Sequence, residues 1–427
     1  MPAPAPVGGD RRRTGTGRAA DHGAVAGGDG VILNCLPKGW LRAPLKRFLS
    51  VSSGDMISAD EETPDGYPIY GGNGIRGYTD KINTKAPALV IGRVGAKCGN
   101  VHLVETDFWA SEHALVVYPR RKFDLRYGKY LLSALDLNQF AIRTAQPLIN
   151  TDAVVTQIGS WPVEIKIQRR IADYLDRETA RIDALIAEKE KMLALIEEKR
   201  TALISRAVTR GLDPNAPLKP SGLDWLGDIP AHWDVRRCAT IFREIDERGE
   251  PDLPLLNVSL NTGVTRRVFS EDKIESVAAD FSSYKVARKG MLVFNKMRFW
   301  QGAAGIAPID GLTSPDYTVA EIVDAALPKY IEFVVRLPQF SNEVRRYSYG
   351  MVDDRLRLYW DSFKNIRIPI PPIDEQYRVL DYLDRELSGI DKISESIRMS
   401  INLIKERRAS LITAAVTGQL DLKGLAA

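Results

Sequence analysis

One stretch of the chain occurs twice. The run Asp173 to Glu178 reads Asp-Tyr-Leu-Asp-Arg-Glu and recurs letter for letter as Asp381 to Glu386. The same offset of 208 residues, without a gap, carries Ala207-Val208-Thr209 onto Ala415-Val416-Thr417. A repeat of about half the chain is much longer than the roughly 20–50 residues of a solenoid repeat. The sequence therefore indicates a tandem duplication of a whole domain followed by a helix.

The repeated segments show the heptad spacing of a coiled coil. The seam of the second copy is Leu383, Ile390, Ile397, Ile404 and Leu411, with Val379, Ile393 and Leu403 alongside it. The seam of the first copy is Leu175, Ile182, Ile196 and Leu203, with Ile171, Leu185 and Met192 at the neighbouring position. Lys189 occupies the seam position of Ile397, either to fix register or with its stem along the seam and its ammonium in water. We expect two helices of about 35 residues, roughly 50 Å each, that pair antiparallel.

The segments before the repeats are rich in glycine turns and short apolar runs. Strands are predicted around 67–70, 88–92, 113–118, 255–260 and 291–295, and helices over 127–137 and from 329 to 335 and beyond. Each segment begins with Pro-x-x-Trp, at Trp40 and Trp233, and no further alignment between the two is evident. The predicted fold class is α+β, with two mixed α/β domains separated by two long helices in a pseudo-two-fold repeat. The predicted boundaries are a disordered tail 1–30, a first domain 31–165, a central helix 166–210, a linker and second domain 211–370, and a C-terminal helix and tail 371–427.

Composition restricts the class of protein only broadly. A net charge of +4 is compatible with nucleic acid but does not require it. No apolar run is long enough to span a bilayer, so we expect a cytoplasmic protein without a membrane partner. The cysteines Cys35, Cys98 and Cys238 lie far apart and predict no disulfide framework.

Five stretches of the chain, together with the duplication, resemble the specificity subunit of type I restriction-modification systems. They are the linker 207–214 leading into 221–230 and Trp233; Val293 to Arg298 with 300–303; 352–357; 368–372 with Glu375-Gln376; and the two Tyr-Leu-Asp helix starts. The first copy departs from this pattern. It keeps Gln168 as the equivalent of Gln376 but lacks counterparts of Pro371, Pro372 and Glu375.

The resemblance implies a non-catalytic DNA-binding subunit. Two target recognition domains would each read one half of a bipartite, asymmetric site in double-stranded DNA, and the helices would act as a spacer and as the dock for methyltransferase subunits. The chain itself would bind no cofactor. S-adenosylmethionine is implied for the methyltransferase subunits, and ATP and Mg²⁺ for a restriction/translocase subunit.

DNA-contacting residues are predicted in both domains from side-chain chemistry. Asparagine pairs with adenine and arginine with guanine in the major groove, and lysine and arginine bind phosphate. In the first domain the loop Gly71 to Tyr78 offers base contacts, although a tight Asn-Gly hairpin is the alternative. In the second domain Phe299 and Trp300 are expected to pack in the core, and Asp353 and Asp354 to orient arginines. The predicted DNA-binding residues are Asn73, Arg76, Tyr78, Lys81, Arg93, Lys97, Asn295, Lys296, Arg298, Gln301, Arg345, Arg346, Arg355 and Arg357.

The sequence predicts no catalytic or metal-binding residue. It contains neither a phosphate-binding Gly-x-x-x-x-Gly-Lys-Ser/Thr loop nor an Asn-Pro-Pro-Tyr or Asp-Pro-Pro-Tyr signature, and its four histidines have no metal-ligand spacing. Two other hypotheses remain open. One is a coiled-coil scaffold that joins two protein-binding domains without contacting DNA, and the other is a DNA reader that works with a methyltransferase alone.

Overall fold

A computed structural model describes residues 36–143, 145–268, 281–350 and 356–420. These residues form two compact units. Unit 1 contains the chain up to Leu175 and again from Leu411, and unit 2 contains Asp176–Ser410. The tail 1–30, Asp353, Asp354 and Arg355 lie outside the described residues.

Unit 1 contains the predicted first domain. Its strands are β1 Trp40–Pro44, β2 Leu49–Ser53, β3 Tyr67–Gly71, β4 Gly74–Thr79, β5 Ala88–Gly92, β6 Val101–Val104, β7 Trp109–Ala110, β8 Ala114–Pro119 and β9 Ile158–Pro162. Its helices are α1 Leu125–Ala134, α2 Thr151–Val155 and the first part of α3 Ile165–Arg210.

Unit 2 contains the second domain and most of the two long helices. Its strands are β10 Leu218–Pro220, β11 Asp228–Pro230, β12 Asp234–Arg237, β13 Phe242–Ile245, β14 Leu256–Ser259, β15 Gly263–Arg266, β16 Lys285–Ala287, β17 Leu292–Asn295, β18 Ala304–Ile306, β19 Gly311–Thr313, β20 Tyr317–Ile322 and β21 Arg367–Ile370. Its helices are α4 Cys238–Ile241, α5 Pro328–Val335, α6 Pro338–Arg346, α7 Trp360–Phe363 and α8 Ile373–Val416, which ends in unit 1.

The central sheets of the two domains have the same strand order. It is β2-β8-β5-β6 in unit 1 and β13-β20-β17-β18 in unit 2, antiparallel throughout. Successive side chains of β5 enter different cores: Leu89 and Ile91 pack with α1, whereas Ala88 and Val90 pack with Phe108 and its neighbours. A strand covered on both faces reads as a continuous apolar run, which is why these strands were visible in the sequence. The two domains are thus related in fold, as predicted from their shared Trp signal.

The interhelical ion pairs of unit 2 show that α3 and α8 run antiparallel. Asp183 pairs with Arg408, Glu190 with Lys405, and Arg200 with Asp391, so partner numbers fall along α8 as they rise along α3. The offset of 208 converts the first of these pairs into the last. The contact is therefore self-complementary, as in a two-fold symmetric dimer. The predicted fold class is confirmed.

The structure corrects the helix lengths and part of the seam. Helix α3 has 46 residues and α8 has 44, rather than about 35, because each begins several residues before the repeated run. The predicted row Leu383, Ile390 and Ile397 is buried. The residues predicted alongside it in the middle of the helices are exposed by 48–62%: Leu185, Met192, Ile393 and Leu403.

The second seam row lies four residues after each residue of the first row. Leu387 and Ile401 are buried there, and Ile186 and Leu193 are partly buried on α3. Four residues bring a helix about 40° past a full turn, whereas three leave it about 60° short. The row at four residues therefore stays nearer the partner helix. Lys189 is partly buried on the seam, which leaves both interpretations of this lysine open.

A buried tyrosine connects each domain to the last turn of a long helix. In unit 1 the Tyr127 hydroxyl lies within donating distance of the carbonyl oxygens of Ser160 (3.1 Å) and Val416 (3.2 Å). In unit 2 the Tyr330 hydroxyl lies within donating distance of the carbonyl oxygens of Val208 (3.1 Å) and Pro369 (3.3 Å). Burial raises the pKa of both phenols well above the usual range, so each remains a neutral donor.

Two buried glutamines anchor α1 of the first domain and α5 of the second. Gln168 accepts from the backbone nitrogen of Asp124 (2.9 Å), which caps α1, and Gln376 accepts from that of Leu327 (2.8 Å), which precedes α5. Gln168 also donates to the Pro162 carbonyl, and Gln376 to that of Pro371. The glutamine retained in both copies thus has the same structural role in each.

Each domain joins its long helix at a short hinge, and the missing counterpart of Glu375 changes the first of the two hinges. In unit 2 the Glu375 carboxylate accepts from His232 (2.7 Å) and from the Trp233 indole (3.0 Å). The equivalent residue at the offset of 208 is Ile167, which packs against the apolar core of unit 1. The first hinge is therefore apolar where the second is polar.

Substitution of Tyr127 by Phe tests the role of the C-terminal helix end in unit 1. The variant removes a buried donor, so we expect it to lower the free energy of unfolding by about 1–3 kcal/mol. Urea unfolding measures this change, and hydrogen exchange at residues 411–418 should increase. The control is Tyr118→Phe at an exposed phenol, where stability should hardly change. Equal effects of both substitutions would contradict the assignment.

Candidate nucleic-acid interface

Topologically equivalent loops follow β5 in unit 1 and β17 in unit 2. The first lies between Gly92 and Val101 and the second between Asn295 and Ala304, so each contains eight residues. Residue numbers in this region differ by 203, as Tyr127 and Tyr330 also do. We call residues 93–100 and 296–303 the reading loops. They contain five of the predicted DNA-binding residues: Arg93, Lys97, Lys296, Arg298 and Gln301.

The predicted loop 71–78 of unit 1 is in fact a hairpin. Strands β3 and β4 meet at the pair Gly71 and Gly74, which leaves a two-residue turn of Gly72 and Asn73. The segment therefore forms the tight hairpin that was the alternative prediction, and the prediction of base contacts from its side chains stays a prediction. Arg76 and Tyr78 belong to β4, and Arg76 is the extra residue of a bulge because Ile69 pairs with Gly77 and Tyr70 with Ile75.

The hairpin turn packs on the base of the first reading loop. A Cβ atom on Gly72 would lie 2.4 Å from the carbonyl oxygen of Val94, and one on Gly92 would lie 1.9 Å from that of Gly72. Only glycine permits backbones to approach this closely. Asn73 and Asn100 extend the contact, since the Asn100 amide donates to the Asn73 Oδ1 at 3.0 Å. Sequence analysis predicted Asn73 but missed Asn100, because only the fold brings the loop next to the hairpin.

The cations of unit 1 differ in how free they are to bind phosphate. Arg76 pairs with Glu62 (2.7 Å) and Lys81 with Glu61 (2.6 Å). Arg93 is partly buried and donates to Ser53 (3.0 Å) and to the Glu112 carbonyl (3.1 Å). Lys97 is exposed at the tip of the reading loop. Lys97 is therefore better placed than Arg93 for a phosphate contact. Arg76 and Lys81 would first have to give up their ion pairs with glutamate before either could bind a phosphate.

The second reading loop presents polar ends around an apolar middle. Arg298 and Gln301 are exposed, whereas Phe299 is fully buried and packs on Phe294 and Phe340. The Asn295 side chain accepts from the backbone of Met297 (2.9 Å), so it supports the loop. Lys296 is partly buried.

Trp300 bridges the second loop and α6. It packs against the core, donates to the Met297 carbonyl and lies under Arg345 at 5.5 Å. The prediction that Phe299 and Trp300 pack in the core is thus consistent with the structure, and Arg345 stacks on one exposed side of this packing.

The remaining predicted arginines of unit 2 lie near α6. Arg346 forms ion pairs with Asp224 (3.3 Å) and Glu343 (3.1 Å). Neither of these carboxylates belongs to the pair Asp353 and Asp354, which was predicted to orient the arginines. Arg357 is exposed and exchanges two backbone hydrogen bonds with Tyr349, which is 66% exposed. Arg355 lies outside the described residues. The structure therefore places Arg298 and Gln301 on the reading loop and Arg345 beside its Trp300.

Within the described ranges, no group of His, Cys, Asp and Glu side chains could hold a metal ion. None of the helices in these ranges has an apolar stretch long enough to cross a membrane.

The protein is similar to known specificity subunits in sequence and fold. Residues 37–194 match the family described as the type I restriction modification DNA specificity domain. The type I restriction enzyme EcoprrI specificity subunit of Escherichia coli is 39% identical over 111 residues, which are 25% of this chain and 28% of that protein. The EcoBI specificity subunit of the same species is 22% identical over 435 residues, with 89% of this chain and 86% of that protein covered.

One solved structure extends this similarity to the fold. The description of this structure is "structural basis underlying complex assembly and conformational transition of the type I R-M system". One of its chains matches this chain with a TM-score of 0.65. The match has 14% identity and covers 90% of this chain and all of that chain, 100%. The resemblance noted in the sequence is confirmed.

The Lys81–Glu61 pair gives a pH-dependent prediction. The hydrogen bond from Lys81, with those from Ser58, lowers the pKa of Glu61 from 4.5 to about 2. Because the folded-state pKa is depressed, the pair's contribution to stability is complete above about pH 4.5 and is lost as the pH falls towards 2. We expect Lys81→Gln to raise the Glu61 pKa towards 4.5 in an NMR titration. An unchanged pKa in this variant would show that the Ser58 bonds alone depress it.

Proposed function

From this confirmed resemblance to type I restriction-modification specificity subunits, we propose that the chain recognises a bipartite, asymmetric DNA site and docks the subunits that modify it. The observation that carries the proposal is the pair of reading loops. Both contain eight residues and follow the same strand of the same sheet, yet they present different side chains. A duplicated frame with two different reading surfaces suits two different half-sites.

The exposed chemistry of each loop supports DNA binding. Unit 1 presents Lys97 with the amides of Asn73 and Asn100, and unit 2 presents Arg298, Gln301 and Arg345. Cations of this kind bind phosphate, while amides and guanidinium groups read base edges in the major groove. The two loops share no side-chain pattern, so the two half-sites would differ in base sequence.

The outer faces of the long helices support a docking role. Leu195 and Leu403 are exposed by 54% and 62%, and Leu185 and Ile393 by 48% and 54%. Each pair is related by the offset of 208, so the same apolar positions recur on α3 and α8. Exposed apolar residues that recur at equivalent positions of two helices suit contacts with two copies of one partner. We propose methyltransferase subunits as these partners.

In this assembly the chain selects the DNA site, and the chemistry belongs to other subunits. The methyltransferase subunits would use S-adenosylmethionine, and a restriction/translocase subunit, where present, would use ATP and Mg²⁺. Specificity would then depend on the reading loops and the exposed side chains next to them, and the activity on the subunits that the helices bind.

Methylome sequencing tests the assignment of half-sites. Cells that express the chain with its methyltransferase subunits should contain one split methylated motif. Exchange of residues 31–160 for the corresponding domain of another specificity subunit should change one half of that motif and leave the other intact. A change in both halves would contradict modular reading. Absence of any motif, with no steep salt dependence of DNA binding, would favour a protein scaffold.

The docking surface is tested separately by a double substitution. Leu195→Glu with Leu403→Glu should weaken methyltransferase-subunit binding at least tenfold, because charge replaces exposed apolar contacts worth about 1.4 kcal/mol or more. Co-purification and fluorescence titration measure this loss. The matched control is Ala187→Glu, which introduces at an exposed helix position the residue present at Glu395 in the other repeat. Equal weakening by the control would refute the assignment.

A further inference from the structure

Two asparagines join the hairpin turn to the first reading loop. The Asn100 Nδ2 donates to the Asn73 Oδ1 at 3.0 Å, and both side chains are exposed. They lie 27 positions apart in the chain. The contact is therefore a product of the fold and not of local turn geometry.

The backbone beneath this pair is fixed by direct main-chain packing. Gly72 precedes Asn73 and touches Gly92 and Val94 so closely that a Cβ atom on either glycine would overlap backbone atoms. The Asn100 carbonyl oxygen accepts from the Gly92 nitrogen (2.9 Å). Both asparagines thus project from a rigid platform, which lowers the entropy cost of using them in binding.

The pair leaves one donor and one acceptor directed away from their mutual bond. Among the described residues, neither the Asn73 Nδ2 nor the Asn100 Oδ1 has a hydrogen-bond partner in the protein. The major-groove edge of adenine offers the complement, the acceptor N7 beside the donor N6 amino group. Guanine offers two acceptors at this edge and would leave the Asn100 oxygen without a donor.

We propose that Asn73 and Asn100 act together as one reader of an A·T base pair. The Asn73 amide donates to adenine N7, and the Asn100 Oδ1 accepts from adenine N6. This assignment rests on the proposed DNA-binding function and adds a base identity to the half-site that unit 1 reads. It also changes the role expected of Asn73 alone, because its own oxygen is already engaged by Asn100.

Among the described residues of unit 2, no two asparagine side chains are paired in this way. Asn295 uses its Oδ1 to accept from the Met297 backbone, and Ala303 stands at the position equivalent to Asn100. The exposed Arg298 and Gln301 are the polar groups of that loop. The composite amide reader is thus specific to the unit 1 half-site.

Asn73→Asp is the most selective substitution for this test. An aspartate can still accept from Asn100, so the contact between loop and hairpin is retained while the outward donor becomes an acceptor. We expect the methylome of cells expressing the variant complex to lose the adenine requirement at one position of the unit 1 half-site. The other half-site should stay unchanged. The charge-matched control is Asn215→Asp in the exposed linker, which should leave the whole motif unaltered.

A second measurement needs no variant and therefore does not depend on its folding. Adenines of the unit 1 half-site are replaced one at a time by 7-deazaadenine, which lacks the N7 acceptor, and binding of the wild-type complex is titrated. One replacement should weaken binding about 5- to 100-fold, in line with a direct base contact. The same replacement should have no effect on binding by the Asn73→Asp complex.

The outcomes separate this inference from the function on which it rests. A wild-type complex with a bipartite motif that tolerates 7-deazaadenine at every adenine of the unit 1 half-site would overturn the amide reader and leave the proposed function intact. An unchanged motif in Asn73→Asp would do the same. A wild-type complex with no sequence motif would overturn both.

Discussion

The last turns of the two long helices complete the cores of the two units. Ile412, Ala415 and Val416 of α8 pack in the unit 1 core, and Ala207 and Val208 of α3 pack in the unit 2 core. At each of these ends a buried tyrosine hydroxyl approaches a helix carbonyl that has no partner further along its own helix. Such unpaired carbonyls are costly to bury, so the tyrosine stabilises the end of the helix and the domain together. The position of the reading loops depends on this contact, because the sheet that carries them packs against the same core.

Two numerical offsets describe how the halves of the molecule diverged. The two long helices are related by an offset of 208 residues and share many identical residues. The sheets and reading loops are related by an offset of 203 residues and share few. Along the ungapped alignment at 203, Asp107 and Asp310 both accept from a backbone nitrogen, of Ala86 and of Lys289 respectively. The retained residues are thus those that fix the backbone. The exposed side chains on the loops were free to change because they take no part in the core.

Sequence patterns predicted the architecture well where periodicity or burial imposes a pattern. The buried strands, the two helices and their common seam row all left a clear signal. The second seam row was wrong because one helix alone does not show which flank faces its partner. Leu185 and Ile393 are as apolar as core residues, and only their exposure distinguishes them.

The interface was less accessible to sequence analysis for a different reason. Arg76 and Lys81 have the chemistry of phosphate ligands, but ion pairs with Glu62 and Glu61 become evident only in three dimensions. Asn100 had no signal of its own, since a single asparagine in a glycine-rich loop is common. The reading loops do carry a signal of their equivalence, since they have equal length and the same position is occupied by Gly99 in one and Gly302 in the other. This signal is recognisable only when the strands before the loops are aligned.

The bonds of Tyr127 and Tyr330 have a consequence for how such a molecule can evolve. Each hydroxyl is bonded to main-chain oxygens, which every amino acid supplies, so the contact survives changes in the surrounding side chains. An exchanged domain needs to preserve one phenol and the glutamine that anchors its helix. A domain that keeps both contacts therefore requires no compensating mutations in the long helices.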